Sequence, residues 1–382
     1  MDSYRPRAAS SVRTLARQLT RRAALGLGAL VAFGLVCALV ALAGAGQLLL
    51  GDMTLGSALG HAAMTLVAAL LASRAWAWLV VPPPPAEGVR IERASAPSLY
   101  RLVDRIAERS GAPGVDRIRI SSDMNAALHQ RPVHGVWGRM ETTLIIGLPL
   151  VHSVSPRQLA AIIAHEMGHL VRQRKGMLAW DAHIRAWWHR SCERLAEDER
   201  PCARLLAWAI GGAMERDLLD ALHLNHLEEY EADRVAARIV GAKLLGDTLV
   251  EVAMKADFIE SDYWDKVMAQ AEHSPRPTIR PFRDMGMGVA AGFHALRDSG
   301  MLRSLVCEEN DSLLHPTLTD RLVALRIAPR MPERSRRSAA AHYLNPALPS
   351  LSRRFDGQWW RAIRPAWRRY YRECRQSDDA DE

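Results

Sequence analysis

From Ala23 to Leu50 the chain carries no charged side chain. A helix rises 1.5 Å per residue, so about 20 consecutive apolar residues cross the hydrocarbon layer of a bilayer. The run therefore predicts a membrane-spanning helix. A second run, from Gly56 to Val81, is apolar apart from His61 and Arg74. Arg74 lies near its end, where a long stem lets the charge reach water, and Trp76 and Trp78 stand where interfacial aromatics collect. Only Gly51, Asp52 and Met53 form a short polar break between the runs. The two predicted spans thus make a hairpin, which excludes a freely soluble protein.

Arg5, Arg7, Arg13, Arg17, Arg21 and Arg22 precede the first span, and no arginine or lysine lies in the intervening loop. By the positive-inside rule the N-terminus is cytoplasmic, and two spans return the rest of the chain to the same side. The expected location is the inner (plasma) membrane. An alternative reads Thr20-Arg21-Arg22-Ala23-Ala24-Leu25 as a twin-arginine export signal with cleavage near Ala43-Gly44-Ala45. Even then the second span leaves its C-terminal side in the cytoplasm. The net charge of +8 is accounted for by arginines flanking the spans, so it does not by itself call for nucleic acid. Cys37, Cys192, Cys202, Cys307 and Cys374 include no C-x-x-C pair. That excludes a disulfide scaffold or a cysteine-built zinc site and fits a reducing compartment.

Pro82 to Pro85 cannot continue a helix and favour a stiff extended spacer. The expected organisation is a basic segment over 1–22, spans over 23–50 and 56–81, and a proline-rich linker over 82–97. A folded domain over 98–335 and an arginine- and aromatic-rich segment over 336–382 follow. At 49% hydrophobic residues the chain has material for a full core, and it shows no internal repeat.

Ser155-Pro156-Arg157-Gln158 reads as a helix start, with Ser as N-cap, Pro in the first turn and Gln completing a capping box. The helix it opens runs to about Gln173 and contains His165-Glu166-Met167-Gly168-His169. Residues four apart share a helix face, so the imidazoles of His165 and His169 project together and are suited to hold one zinc ion. Glu166 is turned to another side of the metal, where it can take a proton from a water. A catalytic zinc needs a third protein ligand, leaving one position open. The best candidate is Glu229, with Asp233 one turn on placed to accept the outer N–H of a ligand imidazole and set its tautomer. His223 and His226 are rivals for the ligand position; a plain helix-surface role suits them better.

This combination of His165-Glu166-Met167-Gly168-His169 with Glu229-x-x-x-Asp233 resembles the gluzincin metallopeptidases of the HtpX and CAAX prenyl endopeptidase type. The resemblance extends to Met124-Asn125-Ala126-Ala127 and Thr143-Leu144-Ile145-Ile146-Gly147-Leu148-Pro149-Leu150, similar to two strands before the active-site helix. It also takes in His315-Pro316-x-x-x-Asp320-Arg321, and covers roughly residues 98 to 330. It implies an α+β fold, a mainly helical zincin-type domain with a small β-sheet, here preceded by the two-helix transmembrane hairpin. HtpX-like proteins are expected to place further spans between the two zinc motifs. Here the longest apolar run in that interval, Leu205 to Met214, is too short to cross. The resemblance further implies one Zn2+ per chain, peptide-bond hydrolysis with Glu166 as general base, and His315 or Arg321 as the second stabiliser of the oxyanion.

The segment from Asn125 to Leu128 is expected to be a strand edge that pairs with an extended substrate, with Asn125 and Ala126 as substrate-binding residues. Expected partners are unfolded or membrane-proximal proteins and the lipid bilayer. The resemblance implies a use in membrane-protein quality control or regulated proteolysis. The alternative from another class is a membrane-anchored scaffold with a silent or occluded zinc site. Near the C-terminus, Trp360, Ile363, Trp367 and Tyr370 recur at helical spacing among arginines, with Pro365 interrupting. Three readings stay open there: an interfacial helix, stacking on single-stranded nucleic acid, or packing onto the catalytic domain. No nucleic-acid fold signature accompanies the segment, and none is expected to bind. Gly241 to Thr248 mimics a phosphate loop but has Asp247 where the lysine must stand, and no G-x-S-x-G occurs.

Overall fold

A computed structural model of the chain describes residues 5–51, 54–134, 137–171, 178–296, 316–331, 333 and 337–381. They are mostly helical, with one small mixed sheet, the α+β class expected. The first half comprises α1 (Arg5–Leu50), α2 (Leu55–Leu79), β1 (Val89–Ile91), α3 (Pro97–Ser110), β2 (Arg117–Ser121), β3 (Ala126–His134), β4 (Trp137–Gly147), α4 (Leu148–Ser153) and α5 (Pro156–Val171). There follow α6 (Leu178–Ala196), α7 (Pro201–Val240), α8 (Ala242–Phe258), a π-helical turn (Ile259–Tyr263) and α9 (Trp264–Ala269). The remainder is α10 (Met285–Leu296), α11 (Leu318–Leu325), α12 (Ala339–Tyr343) and α13 (Leu348–Asp381). Two compact units emerge: Met1–Pro84 with Arg131–Met140 and Lys175–Leu227, and Pro85–Gln130 with Glu141–Arg174 and Glu228–Glu382.

In the first unit α1 and α2 are long and apolar enough to cross a membrane. The basic segment before the apolar run is helical from Arg5 onward, because Pro6 is tolerated in a first turn and nothing from Arg7 to Ala23 breaks a helix. The helices run antiparallel at close range. A Cβ added to Gly34 would lie 3.1 Å from the Ala75 Cβ, and one on Gly44 would lie 2.1 Å from the Thr65 hydroxyl. Small residues at such crossings let helix backbones approach where no hydrophobic force drives them together. Towards the chain-terminal end of this hairpin, α6 and α7 supply packing partners. Leu27, Leu30, Trp78, Leu79, Leu195 and Ala203 bury together. Trp187 donates to the Leu79 carbonyl at 2.6 Å, and Arg22 pairs with Asp217 and Asp220 at 3.3 and 2.7 Å. By contrast Leu39, Leu42, Leu49, Leu55, Leu59 and Leu66 are exposed. Contiguous apolar surface of this kind is a lipid-facing or partner-facing surface rather than a wetted one.

The second unit is built around the sheet, in the order β1-β2-β4-β3. β1 pairs antiparallel with β2, Arg90 opposite Arg119, and β2 pairs parallel with β4, Arg119 opposite Ile145. Strand alternation sends Ile118, Ile120, Leu144 and Ile146 into the core, where they are fully buried. Leu99, Val103 and Ile106 of α3 and Leu159, Ile163 and Met167 of α5 complete it. The capping box that starts α5 is formed: the Ser155 N–H donates to Gln158 Oε1 at 2.8 Å and the Gln158 N–H to the Ser155 hydroxyl at 3.3 Å. The same Gln158 amide donates to Glu251, which also takes a bond from Lys255, and Lys255 donates to the Ser153 carbonyl. This buried trio ties the start of α5 to α8.

Three boundaries differ from the sequence reading. The strand expected through Leu150 ends at Gly147, and Leu148–Ser153 turns into α4 with Pro149 in its first turn. Gly147 is needed there: its N–H bonds the Asn125 carbonyl at 2.7 Å, and a Cβ would lie 1.7 Å from the Asp123 carbonyl oxygen. The linker expected over 82–97 contains β1, whose three residues gain their stability from pairing with β2 and not from a local pattern. The segment from 336 onward is not separate, since Ala339, Ala340, Leu344, Leu351 and Phe355 belong to the main core. Of the three C-terminal readings, packing is the one realised at Trp367, which is buried and donates to the Ser274 carbonyl at 2.9 Å.

Lys255→Met leaves Glu251 buried without its cation, and we expect a loss of about 3–5 kcal/mol of stability. The double replacement Glu251→Met/Lys255→Met should recover most of it. Denaturant unfolding of the two variants checks both, and an unchanged midpoint for Lys255→Met would contradict the assignment.

Candidate metal centre

The centre is assembled from α5, the second half of α7, and α11. α5 is amphipathic: Leu159, Ile163, Met167 and Leu170 are buried, which turns His165 and His169 to a half-buried face. Their ring centroids are 5.0 Å apart with the planes nearly perpendicular, so the two imidazoles do not stack. On α7 the buried Ala232 and Ala236 hold the helix down, and Glu229 and Asp233, one turn apart, are both buried. α11 is capped by Thr317, whose hydroxyl accepts from the Asp320 N–H at 3.1 Å, and anchored by the buried Leu322. Arg321 is directed between them into the carboxylates.

Among the described residues, His165, His169 and Glu229 form the one group able to hold a metal, each offering a ligand atom within 4.8 Å of the others. Glu229 Oε2 is 3.4 Å from His165 Nε2, and its Oε1 is 3.5 Å from His169 Nε2. Atoms about 2.0–2.2 Å from one tetrahedral zinc are about 3.4 Å from each other. Donor set and spacing therefore fit a zinc ion with three protein ligands. His223 is exposed on α7, and neither it nor His226 joins the group.

Behind the ligands lies a second row of contacts. His165 Nδ1 is 2.9 Å from Asp233 Oδ1, which leaves Nε2 as the atom facing the cluster. Arg321 grips Asp233 with both arms of its fork, Nε to Oδ2 at 2.8 Å and Nη2 to Oδ1 at 2.7 Å. Its Nη1 is 3.5 Å from Glu229. Burial penalises the Asp233 carboxylate, yet the bonds from Arg321 and His165 overcome that and hold its pKa below the ordinary value. For His165 burial acts in the lowering direction, but the bonds to Asp233 and Glu229 raise its pKa to about 9 in the metal-free protein. The Glu166 carboxyl is pushed up by burial, with His165 and His169 opposing.

Sequence reasoning overlooked Gly168, which stood as filler inside the histidine motif. A Cβ at that position would lie 2.7 Å from Ala232 Cα, so only glycine lets α5 and α7 approach this closely. The available signal was a glycine in a helix interior, where it costs about 1 kcal/mol relative to Ala and therefore calls for a packing reason. Arg321, expected as an oxyanion donor, has its fork engaged with Asp233. His315 lies outside the described residues. Asn125 is exposed, and its side-chain oxygen accepts from the Ala126 N–H at 2.8 Å, a local turn contact. Ala126 opens β3, which stands at the end of the sheet order.

The model of peptidase family M48 matches residues 94–328, more than half of the chain and a span containing all of these residues. No curated protein matches the chain.

Two outcomes are expected. Gly168→Ala forces the helices apart, costs about 1–3 kcal/mol by overpacking and weakens zinc binding, read by thermal unfolding and metal titration. Zinc uptake near neutral pH displaces a proton from His165, so affinity rises as the pH climbs toward 9. Calorimetry in two buffers of different ionisation enthalpy reads that proton. Identical heats and a pH-independent affinity would contradict it.

Proposed function

The chain belongs to peptidase family M48, and on that premise we propose that it is a membrane-anchored zinc endopeptidase acting on extended protein segments. The observation that carries the reading is the convergence of His165, His169 and Glu229 on one point, with Glu166 half-buried beside them on the α5 helix, near enough to feel the charges of all three. In this proposal those three residues hold the metal. A zinc ion held there supplies Lewis acidity and makes a water acidic enough, with a pKa of about 7, to be activated at neutral pH.

The chain's own residues do the rest. Glu166 accepts the proton of the attacking water at its carboxylate and passes it to the nitrogen of the departing amine. Burial pushes the Glu166 carboxyl up from its ordinary value, which favours holding the proton between the two transfers. Asp233 keeps the Nδ1 proton on His165, so that Nε2 stays a lone-pair donor. Arg321 is a positioning residue, holding Asp233 rather than facing substrate. That leaves His315, by the family resemblance, as the group we assign to the oxyanion. β3, at the end of the sheet, would take an extended peptide by strand addition, with backbone bonds that tolerate many sequences. Ala126 is the first residue of that strand, and Asn125 shapes the turn that leads into it.

We place α1 and α2 across the inner membrane with the N-terminus and the peptidase unit on the cytoplasmic side. The support is the arginine-rich flank of α1 together with the exposed apolar faces of both helices. An anchored peptidase of this kind suits the turnover of damaged or regulated membrane-proximal proteins.

Glu166→Gln should retain zinc and lose casein cleavage by about 10²–10⁴-fold, the usual worth of a general base. Full-length protein in detergent, assayed with and without added zinc and with metal content measured in parallel, checks this. Undiminished turnover in the variant would overturn the mechanism, and a scaffold would cleave in neither form.

A further inference from the structure

A groove lies in the peptidase unit, away from the metal ligands, at the entry to β3. It encloses a cavity of about 680 Å³, within the range that holds a ligand or a large side chain. Trp264, Phe282, Phe355 and Trp359 line it and touch one another in series. Ring centroids are 6.0 Å apart for Trp264 and Trp359, 5.8 Å for Trp264 and Phe282, and 5.5 Å for Phe282 and Phe355. The wall is held in place rather than loosely collapsed, because Asp356 accepts the Phe282 N–H at 2.8 Å. Asp123 and Glu260 are its charged lining residues, and both are exposed.

Two further observations say what the groove is for. Ser122, Asp123 and Met124 line it, and the chain passes from them within two residues into β3 at the end of the sheet. An extended segment pairing with β3 would therefore run on into the groove. The opposite wall includes Ile259 and Glu260 of the π-helical turn, a local widening of the helix of a kind frequent at functional sites. Trp359 and Ala362 belong to α13, beyond the residues matched by the family model.

We propose that the groove is a specificity subsite that takes a large apolar or aromatic side chain of the extended substrate, flanked by a basic residue drawn to Asp123 and Glu260. The inference rests on the peptidase reading for its physiological meaning, but the binding it describes is measurable without cleavage. Strand addition supplies affinity that is blind to sequence, and a pocket beside the strand supplies the discrimination. The partly exposed rings of Trp264 and Trp359, backed by the buried Phe282 and Phe355, provide the apolar contact. The two carboxylates select the sign of the neighbour, since a like charge placed there would be repelled.

The test uses full-length Glu166→Gln protein with zinc in lipid nanodiscs and short fluorescent peptides. In these a Phe-Lys pair is stepped along a Gly/Ser host, with Ser-Lys and Phe-Glu peptides as comparisons. At the best register Phe-Lys should bind at least about tenfold tighter than Ser-Lys, the scale set by filling an apolar pocket. Ala362→Trp, a change at an exposed position that fills the groove, should erase that preference. Asp123→Lys/Glu260→Lys should turn a preference for Phe-Lys into one for Phe-Glu. Equal binding of Phe and Ser peptides, or a preference that survives both sets of changes, overturns the proposal. Selective binding with no casein cleavage by the unmutated protein would sink the peptidase reading and leave the groove standing. Cleavage without selectivity would sink the groove alone.

Discussion

The centre depends on how closely α5 and α7 approach at Gly168 and Ala232. Two histidines on one helix turn cannot hold a catalytic metal by themselves, and the third donor stands some sixty residues further along the chain. Bringing Glu229 within 3.5 Å of both imidazoles requires the helices to pack backbone against backbone. A methyl group at position 168 would prevent that. The apolar core on the other face of α5, where Leu159, Ile163 and Met167 are buried against the sheet and α3, supplies the force that presses the helix into place.

Such an approach crowds ionisable groups into a partly dry space, and the row of contacts behind the ligands answers that cost. His165, Asp233 and Arg321 form a charged, hydrogen-bonded series in which each member satisfies the next. A buried carboxylate without such partners would take up a proton and lose its ability to orient the imidazole. The bidentate grip of Arg321 also restrains Asp233 geometrically, as a lysine's point charge would not. A residue drawn from far along the sequence thus acts on the candidate ligand His165 through one intermediary.

The first unit solves a different problem. Arg22 of α1 pairs with Asp217 and Asp220 of α7, Trp187 and Trp188 pack at the ends of the apolar helices, and the remaining apolar surface is left outward. In the second unit the C-terminal helix, whose composition of tryptophan and arginine invited membrane or nucleic-acid readings, packs part of its aromatics against the core while Tyr370 stays exposed. Trp359 meets Trp264, and Trp367 is buried.

Chemistry that repeats along one element was legible from the chain alone. The two long apolar runs, the capping box at Ser155 and Gln158, and the paired imidazoles of His165 and His169 all follow from spacing within a single helix. Glu229 and Asp233 were legible as a pair for the same reason, Glu229 as the candidate third ligand and Asp233 as the carboxylate behind an imidazole. What the chain alone left undecided depends on pairing between distant elements. That β1 joins the sheet, that β4 stops at Gly147, that Arg321 grips Asp233, and that Gly168 must be glycine are each set by a partner remote in sequence. Local propensity is a property of a window of residues, whereas these contacts exist only once the core has closed and fixed which backbones lie against one another.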